Sequence, residues 1–329
     1  MLNGKTILVT GGTGSFGKKF TRMILERYQP KKVIIYSRDE FKQWQMAEEF
    51  KEYAKTLRFF IGDVRDAQRL QRALNGVDYV IHAAAMKQVP ACEYNPMEAV
   101  KTNIDGAMNI INCAIDAGVK KVVALSTDKS VNPVNLYGAT KMVSDKLFVA
   151  GNAYSGWGGT IFSVVRYGNV AGSRGSVIPF FKQKIESGEK SLPITDYRMT
   201  RFWIDLSQGV ELVLKALKEA RGGEIFISKI PSFKITDLAQ AMLPGCDMPE
   251  IGIREGEKLH EVMVSKEDAS NTFEFENHYI IYPQIHWENQ TLYDVSKGKR
   301  VPVDFEYNSG NNTQWLSIEE LKKLLHSRF

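Results

Sequence analysis

The sequence predicts an α/β fold, a doubly wound parallel sheet with a smaller, mixed α/β lobe. Three observations predict it. Short β-rich runs alternate with segments of helical periodicity through the first half of the 329-residue chain, the rhythm of strands joined by helical crossovers. Each run is nearly continuously apolar, as expected of strands covered on both faces. A glycine-rich turn then joins the first run to the first helical segment. The length gives room for one large domain and an appended lobe.

Strands are expected at 6–10, 33–36, 58–61, 79–82, 122–125 and 161–165, and a further one at 224–228. Between them, 16–28 and 67–74 carry apolar residues at helical spacing. After Arg166 the pattern loosens, with Gly172, Gly175 and Pro179 preceding a loop at 187–200 and a helix at 206–220. From Pro231 short mixed elements run to a terminal helix at 318–326, and 307–312 reads as loop. The main domain is therefore expected to be 1–166 plus about 201–228, and the lobe about 167–200 plus 229–329.

Composition excludes several function classes. The net charge is +5 and the 25% of charged residues are mixed in sign, with no basic run interleaved with aromatics, so no nucleic-acid partner is expected. Cys92, Cys113 and Cys246 are too scattered for a disulfide framework or a CxxC metal site. His82, His260, His278, His286 and His326 lack ligand spacing, so they read as packing or surface residues and no metal is expected. The N-terminus runs straight into a strand, and no apolar stretch approaches the roughly 20 residues of a membrane span. A cytoplasmic location without membrane attachment is the expectation.

The turn Thr10-Gly11-Gly12-Thr13-Gly14-Ser15-Phe16-Gly17 carries the first chemical signal. Gly11 permits a tight turn, Gly14 lets backbone approach a pyrophosphate, and Gly17 allows close packing, while Ser15 and Phe16 open a helix whose N–H groups favour anions. The spacing is GxxGxxG, a variant of the usual dinucleotide fingerprint, and the fold is accordingly read as Rossmann-type. At the end of the second strand the chain reads Ser37-Arg38-Asp39-Glu40-Phe41-Lys42. Arg38, helped by Ser37 and Lys42, suits the 2′-phosphate of NADP, although Asp39 offers an acid beside it and a solvated turn is the alternative. Asp63 and Val64 end the third strand where an adenine would lie; a simple turn is the competing explanation.

The second signal is Ser126-Thr127-Asp128-Lys129 followed by Tyr137-Gly-Ala-Thr-Lys141. A Tyr-x-x-x-Lys spacing places phenol and ammonium one helical turn apart on one face, so that Lys141 can lower the pKa of Tyr137. Tyr137 can then take a hydroxyl proton as hydride leaves the same carbon. Asp128 and Lys129 add an acid and an amine that oxidation alone does not need. A structural turn is their bland alternative.

These residues resemble the extended short-chain dehydrogenase/reductase family of nucleotide-sugar enzymes. The resemblance rests on the glycine turn, Gly62-Asp63-Val64, His82-Ala83-Ala84-Ala-Met-Lys87, Asn103, Ser126-Thr-Asp-Lys129 and Tyr137-x-x-x-Lys141, and it spans essentially the whole chain. The stretches 126–141, Arg166-Tyr-Gly-Asn-Val170, 172–181 and Met199-Thr-Arg-Phe-Trp203 are most similar to the subgroup of C5-inverting UDP-N-acetylglucosamine 4,6-dehydratases at the head of pseudaminic acid synthesis. Retaining dehydratases of the family carry Thr-Asp-Glu where this chain has Thr127-Asp128-Lys129; membrane-anchored relatives commonly have Met at the Tyr137 position.

The resemblance implies NADP as cofactor, with Ala83 and Ala84 at its site, and a homo-oligomer. It implies UDP-N-acetylglucosamine as substrate, contacted by Lys87, Lys129, Tyr137, Asn169, Arg201, Arg254 and Glu257, and by a loop at Tyr307 and Asn308. Arg201 and Arg254 suit the diphosphate because a guanidinium offers several planar hydrogen bonds; surface ion pairs are the alternative for such remote charges. Phe202 and Trp203 read as packing residues.

The implied cycle oxidises C4, expels water across C5 and C6, and returns hydride to C6, giving UDP-2-acetamido-2,6-dideoxy-β-L-arabino-hexos-4-ulose for flagellar or surface glycans. Thr127 would hold the C4 oxygen, Asp128 protonate the departing hydroxyl, and Lys129 remove the C5 proton. A neutral Lys129 beside a protonated Asp128 is opposed by about 9 kcal/mol in water, so burial must supply most of the difference. Two rivals share the fold: a UDP-hexose 4-epimerase, which needs no acid at C6, and a non-catalytic NADP or nucleotide-sugar sensor.

Overall fold

A computed structural model describes residues 1–156, 158–172, 176–284 and 293–326. Gly175, residues 173–175 of the 172–181 stretch, and His286 lie outside the described residues. Strands β1 (Thr6–Thr10), β2 (Lys32–Ser37), β3 (Leu57–Ile61), β4 (Tyr79–His82), β5 (Lys121–Thr127) and β6 (Ile161–Tyr167) form where the apolar runs predict them. Helices α1 (Ser15–Arg27), α2 (Glu40–Glu49), α3 (Ala67–Ala73), α4 (Val89–Tyr94), α5 (Pro96–Val100), α6 (Gly106–Asp116) and α7 (Leu136–Ser155) connect them. The rest comprises α8 (Val177–Glu186), β7 (Thr200–Phe202), α9 (Leu206–Glu219), β8 (Ile225–Ser228), β9 (Ser232–Lys234), α10 (Ile235–Met242), β10 (Val262–Val264), β11 (Thr272–Glu274), β12 (His278–Ile281), β13 (Lys299–Arg300), β14 (Tyr307–Asn308) and α11 (Ile318–His326).

The main sheet runs β13-β11-β12-β8-β6-β5-β4-β1-β2-β3. Its strands from β3 to β8 are parallel. Alternation along each strand feeds two cores. Ile7, Val9, Val33 and Ile35 pack under α1 and α9 with Phe20, Ile24, Val213 and Leu217, whereas Leu8, Ile34 and Tyr36 face α3, α6 and α7 with Leu70, Ile110 and Phe148. Strand order reverses between β1 and β4, the switch point at which open α/β sheets leave a crevice beyond the strand carboxyl ends.

Two expectations are corrected. The segment around β11 and β12, assigned to the lobe from its sequence, continues the main sheet: β12 pairs antiparallel with β8, β11 with β12, and β13 with β11. All four β12 residues are buried, so this addition covers a sheet edge that would otherwise stay open. Residues 307–312 are not wholly loop either, since Tyr307 and Asn308 pair with Val262 and Val264. The lobe has its own core, where Phe181, Ile194 and Trp203 meet Phe233, Leu238 and Leu321. Trp203 stands edge-on to Phe233 at 5.7 Å and Phe202 lies 5.0 Å from Tyr307, both as packing residues.

Candidate active site

A cleft of about 1200 Å³ lies between the switch point and the lobe. At one end it is lined by Gly11, Gly14, Ser15, Phe16 and Gly17, then by Ser37, Arg38, Lys42, Asp63 and Val64. Gly11 has φ of +62°, and a Cβ there would come within 2.9 Å of the Ala83 and Ala84 backbone, so the turn after β1 needs glycine. No acidic side chain occupies the first turn of α1 and no side chain caps it, which leaves its N–H groups facing the cleft. Asp39 is engaged elsewhere: it caps α2 by accepting from the Lys42 amide at 2.9 Å and pairs with the Lys42 ammonium at 2.6 Å. Arg38 is mostly exposed, 3.6 Å from Asp63.

Ala83, Ala84 and Lys87 continue the lining beside β4. Asn103 fixes this stretch, accepting from the Met86 amide at 2.8 Å and donating to the Met86 carbonyl and to Thr140 Oγ1, each at 2.9 Å. Strand β5 delivers Thr127 to the cleft at its carboxyl end, and a single 3₁₀ turn, Asp128–Ser130, follows. Asp145, buried on α7, holds that turn by accepting from Ser126 Oγ at 2.6 Å and Ser130 Oγ at 3.0 Å. Helix α7 starts at the Asn135 cap, and its first residues press on the turn so closely that a Cβ at Gly138 would sit 2.1 Å from the Lys129 carbonyl oxygen. Tyr137 and Lys141 thus reach the cleft from adjacent turns of one helix.

Around Lys129 the structure brings together residues from three parts of the chain. Its ammonium donates to Asp128 Oδ1 at 3.2 Å, Asn169 Oδ1 at 3.2 Å and Glu261 Oε1 at 3.1 Å. Arg201 Nε lies 3.6 Å from the same Glu261 oxygen. Thr127 Oγ1 donates to Asp128 Oδ1 at 2.9 Å. Burial, then the Glu261 charge, push the Asp128 carboxyl above its usual range despite Lys129. Burial also opposes the Glu261 carboxylate, but Lys129 and Arg201 outweigh it and hold it low. For Lys129 itself burial favours the neutral amine, yet Asp128 and Glu261 together prevail and raise its pKa.

This electrostatic order in the free chain differs from the one the sequence suggests. The neutral form expected of Lys129 is disfavoured in the free chain because two carboxylates face one ammonium. Burial pushes the Tyr137 phenol up to about 12, and the largest opposing charge is Lys129 rather than Lys141. Burial lowers Lys141, with Asp145 acting against it. Asp128 has no exposed surface and does not line the cleft; it lies beneath Thr127 and Lys129.

Arg201, Asn169, Arg254 and Glu257 all line the lobe side of the cleft. Tyr307 and Asn308 do not. The Tyr307 hydroxyl donates to the Ile230 carbonyl at 2.9 Å and accepts from its amide at 2.9 Å, while Asn308 Oδ1 accepts from the amides of Gly310 and Asn311 to close a turn. Sequence reasoning missed Glu261, Asp145 and Arg166. Glu261 ends a run with two other acids, and nothing in its spacing marks it as the buried one. Arg166 lies 3.6 Å from Asp145 and donates to the Met263 carbonyl at 2.8 Å, tying β6 to β10.

The family described as "Polysaccharide biosynthesis protein" matches residues 7–283. The chain belongs to this family. The chain is 58% identical to a Campylobacter jejuni protein named UDP-N-acetylglucosamine 4,6-dehydratase (inverting), over 99% of this chain and 98% of that one. It is 43% identical to a Rickettsia akari protein named UDP-glucose 4-epimerase, over 98% and 95% of the two chains. Among solved structures, Pen from Bacillus thuringiensis superposes with a TM-score of 0.89 at 38% identity, covering 100% of this chain and 98% of that one. DesIV, a dTDP-glucose 4,6-dehydratase from Streptomyces venezuelae with NAD and TYD bound, gives a TM-score of 0.69 at 28% identity, over 77% and 86%. These similarities place the family's fold within the extended short-chain dehydrogenase/reductases.

Proposed function

We propose that the protein is a UDP-N-acetylglucosamine 4,6-dehydratase that inverts C5. The observation that carries this reading is the placement of an acid and an amine, Asp128 and Lys129, in one cluster beside Tyr137, in a chain 58% identical to an inverting dehydratase over nearly its full length. An epimerase must only remove and return hydride at C4. It needs no proton donor for a C6 hydroxyl, whereas dehydration does, and Asp128, whose carboxyl burial shifts toward the protonated form, is placed to serve as one. The relative named as an epimerase favours the second reading, and product mass separates them: dehydration removes one water, epimerisation leaves the mass unchanged, and a sensor yields no product.

The cleft fits a nicotinamide dinucleotide, since the glycine turn, the open first turn of α1 and the walls at Arg38, Asp63 and Val64 form one continuous groove that ends at Tyr137 and Lys141. When bound, that cofactor supplies the hydride acceptor for C4 oxidation and the donor for C6 reduction. Tyr137 takes the C4 hydroxyl proton, with Lys141 in the next turn and Thr127 at the C4 oxygen. Lys129 removes the C5 proton that the ketone has acidified. Asp128 protonates the departing C6 hydroxyl through Thr127, because it is sealed beneath the surface. The bond in which Thr127 Oγ1 now donates to it at 2.9 Å reverses, Asp128 donating to Thr127 Oγ1 as the Thr127 proton passes to the leaving hydroxyl. Arg201 and Arg254 hold the diphosphate, with Lys87, Asn169 and Glu257 on the rest of the nucleotide sugar.

NADP is the expected form of the cofactor. Ser37 stands at the strand end where NAD enzymes place an acid, Asp39 is turned into its capping role, and Arg38 remains largely exposed at the rim. Wild-type protein should therefore bind NADP more tightly than NAD. Arg38→Ala should narrow the ratio about tenfold, the worth of one charge-assisted hydrogen bond. Equal wild-type affinities in a titration of both cofactors contradict this. A cytoplasmic homo-oligomer acting at the head of pseudaminic acid synthesis completes the reading, on the support of the family resemblance.

A further inference from the structure

Glu261 is a buried carboxylate that reaches the reaction centre from the lobe. Its backbone is locked: its amide donates to Ser309 Oγ at 2.9 Å and its carbonyl accepts from the Ser309 amide at 2.8 Å. Ser309 Oγ in turn bonds Thr200 Oγ1 at 2.7 Å, and that hydroxyl bonds His260 Nδ1 at 2.8 Å. The side chain is 3% exposed, lines the cleft, and directs Oε1 at Lys129. Its other oxygen, Oε2, is buried without a hydrogen-bond partner among the described residues. A buried carboxylate oxygen left unpaired is costly, and it is also a place where a proton can be put.

Three acceptors surround the Lys129 nitrogen at 3.1 to 3.2 Å, matching the three protons of an ammonium. Such a nitrogen has no lone pair to offer C5. Asn169 cannot take a proton, and Asp128 must already carry one to release water. Glu261 is the remaining acceptor. Burial opposes its carboxylate, yet in the free chain Lys129 and Arg201 hold it low. We propose that Glu261 is the positioning residue of Lys129 and takes its proton once the substrate diphosphate engages Arg201, 3.6 Å away, freeing the amine to act on the C5–H bond. This deepens the dehydratase reading and rests on it. The proton moves from Lys129 Nζ to Glu261, the C5 proton moves to Nζ, the C5–H electron pair becomes the C5–C6 π bond, and the C6 hydroxyl leaves as water with the proton held by Asp128.

The test compares Glu261→Gln, which keeps shape but not charge, with Glu261→Asp, which keeps charge but falls one bond short. NADP and UDP-N-acetylglucosamine are supplied to each protein, following kcat, KM, reduced-cofactor absorbance and deuterium entry at C5 from heavy water. Glu261→Gln should lose at least about 100-fold in kcat, the lower range of general-base effects, with KM within about threefold, reduced cofactor still formed and C5 exchange lost. Glu261→Asp should lie between Gln and wild type. A Gln variant with near wild-type kcat and C5 exchange overturns the proposal, as do Gln and Asp variants that fail equally with C4 oxidation lost too. Should the Gln variant not fold, the Asp variant decides: reduced kcat at unchanged KM supports the proposal and unchanged kcat overturns it. Absence of dehydration by wild type would instead reject the dehydratase reading itself.

Discussion

Lys129→Ala is expected to lower dehydration by about 10³-fold while cofactor and nucleotide binding persist, because the substitution removes the amine from C5 without touching the glycine turn. C4 oxidation should survive in part, so that mixing the variant with substrate leaves reduced cofactor visible by its absorbance. Solvent deuterium should no longer enter C5. The substitution also leaves Asp128 and Glu261, both buried, without the cation between them, and breaking such a pair costs about 3–5 kcal/mol. One of the two carboxyls should then take up a proton, and the melting temperature should fall most at neutral to alkaline pH, where that uptake is hardest. Near wild-type dehydration with the same C5 inversion would show that Lys129 is not the base.

Tyr137→Phe should fail earlier in the cycle, with turnover reduced by about 10³-fold or more and no reduced cofactor formed in a single turnover. The ring fills the same space, packed near Cys92 and Ala99, so stability should change little. What disappears is the phenolic oxygen. Burial holds that phenol high in the free chain, with Lys129 and Thr127 acting to lower it, so the Tyr137 hydroxyl is poised by the same cluster that serves the elimination. Reduced cofactor appearing at wild-type amplitude in Tyr137→Phe would contradict the assignment. Lys129→Ala and Tyr137→Phe therefore stop the reaction on opposite sides of the ketone.

Much of this was legible because it is local. The glycine turn, the apolar strands and the stretch from Ser126 to Lys141 each specify their structure within one supersecondary unit, and β5 and α7 then bring Thr127, Lys129, Tyr137 and Lys141 together. Glu261 was not legible, since 132 residues separate it from Lys129 and only the fold of the lobe selects it over Glu255 and Glu257. Tyr307 and Asn308, which the resemblance implies at the nucleotide, lie outside the cleft lining, and the Tyr307 hydroxyl is spent on the Ile230 backbone. The antiparallel extension escaped notice because β11 and β13 are short and only β12 is uniformly buried. Burial, which sequence shows only through apolar pattern, also hid the covering of Asp128.

One site is expected to oxidise C4, expel water and return the same hydride to C6. UDP-N-acetylglucosamine carrying deuterium at C4 tests it most directly, with the product analysed by mass and by NMR. The predicted product has lost one water, carries the C4 deuterium at C6, and shows no net accumulation of reduced cofactor. A product of unchanged mass with deuterium still at C4, or a dehydrated product whose label has escaped into free cofactor, would contradict it.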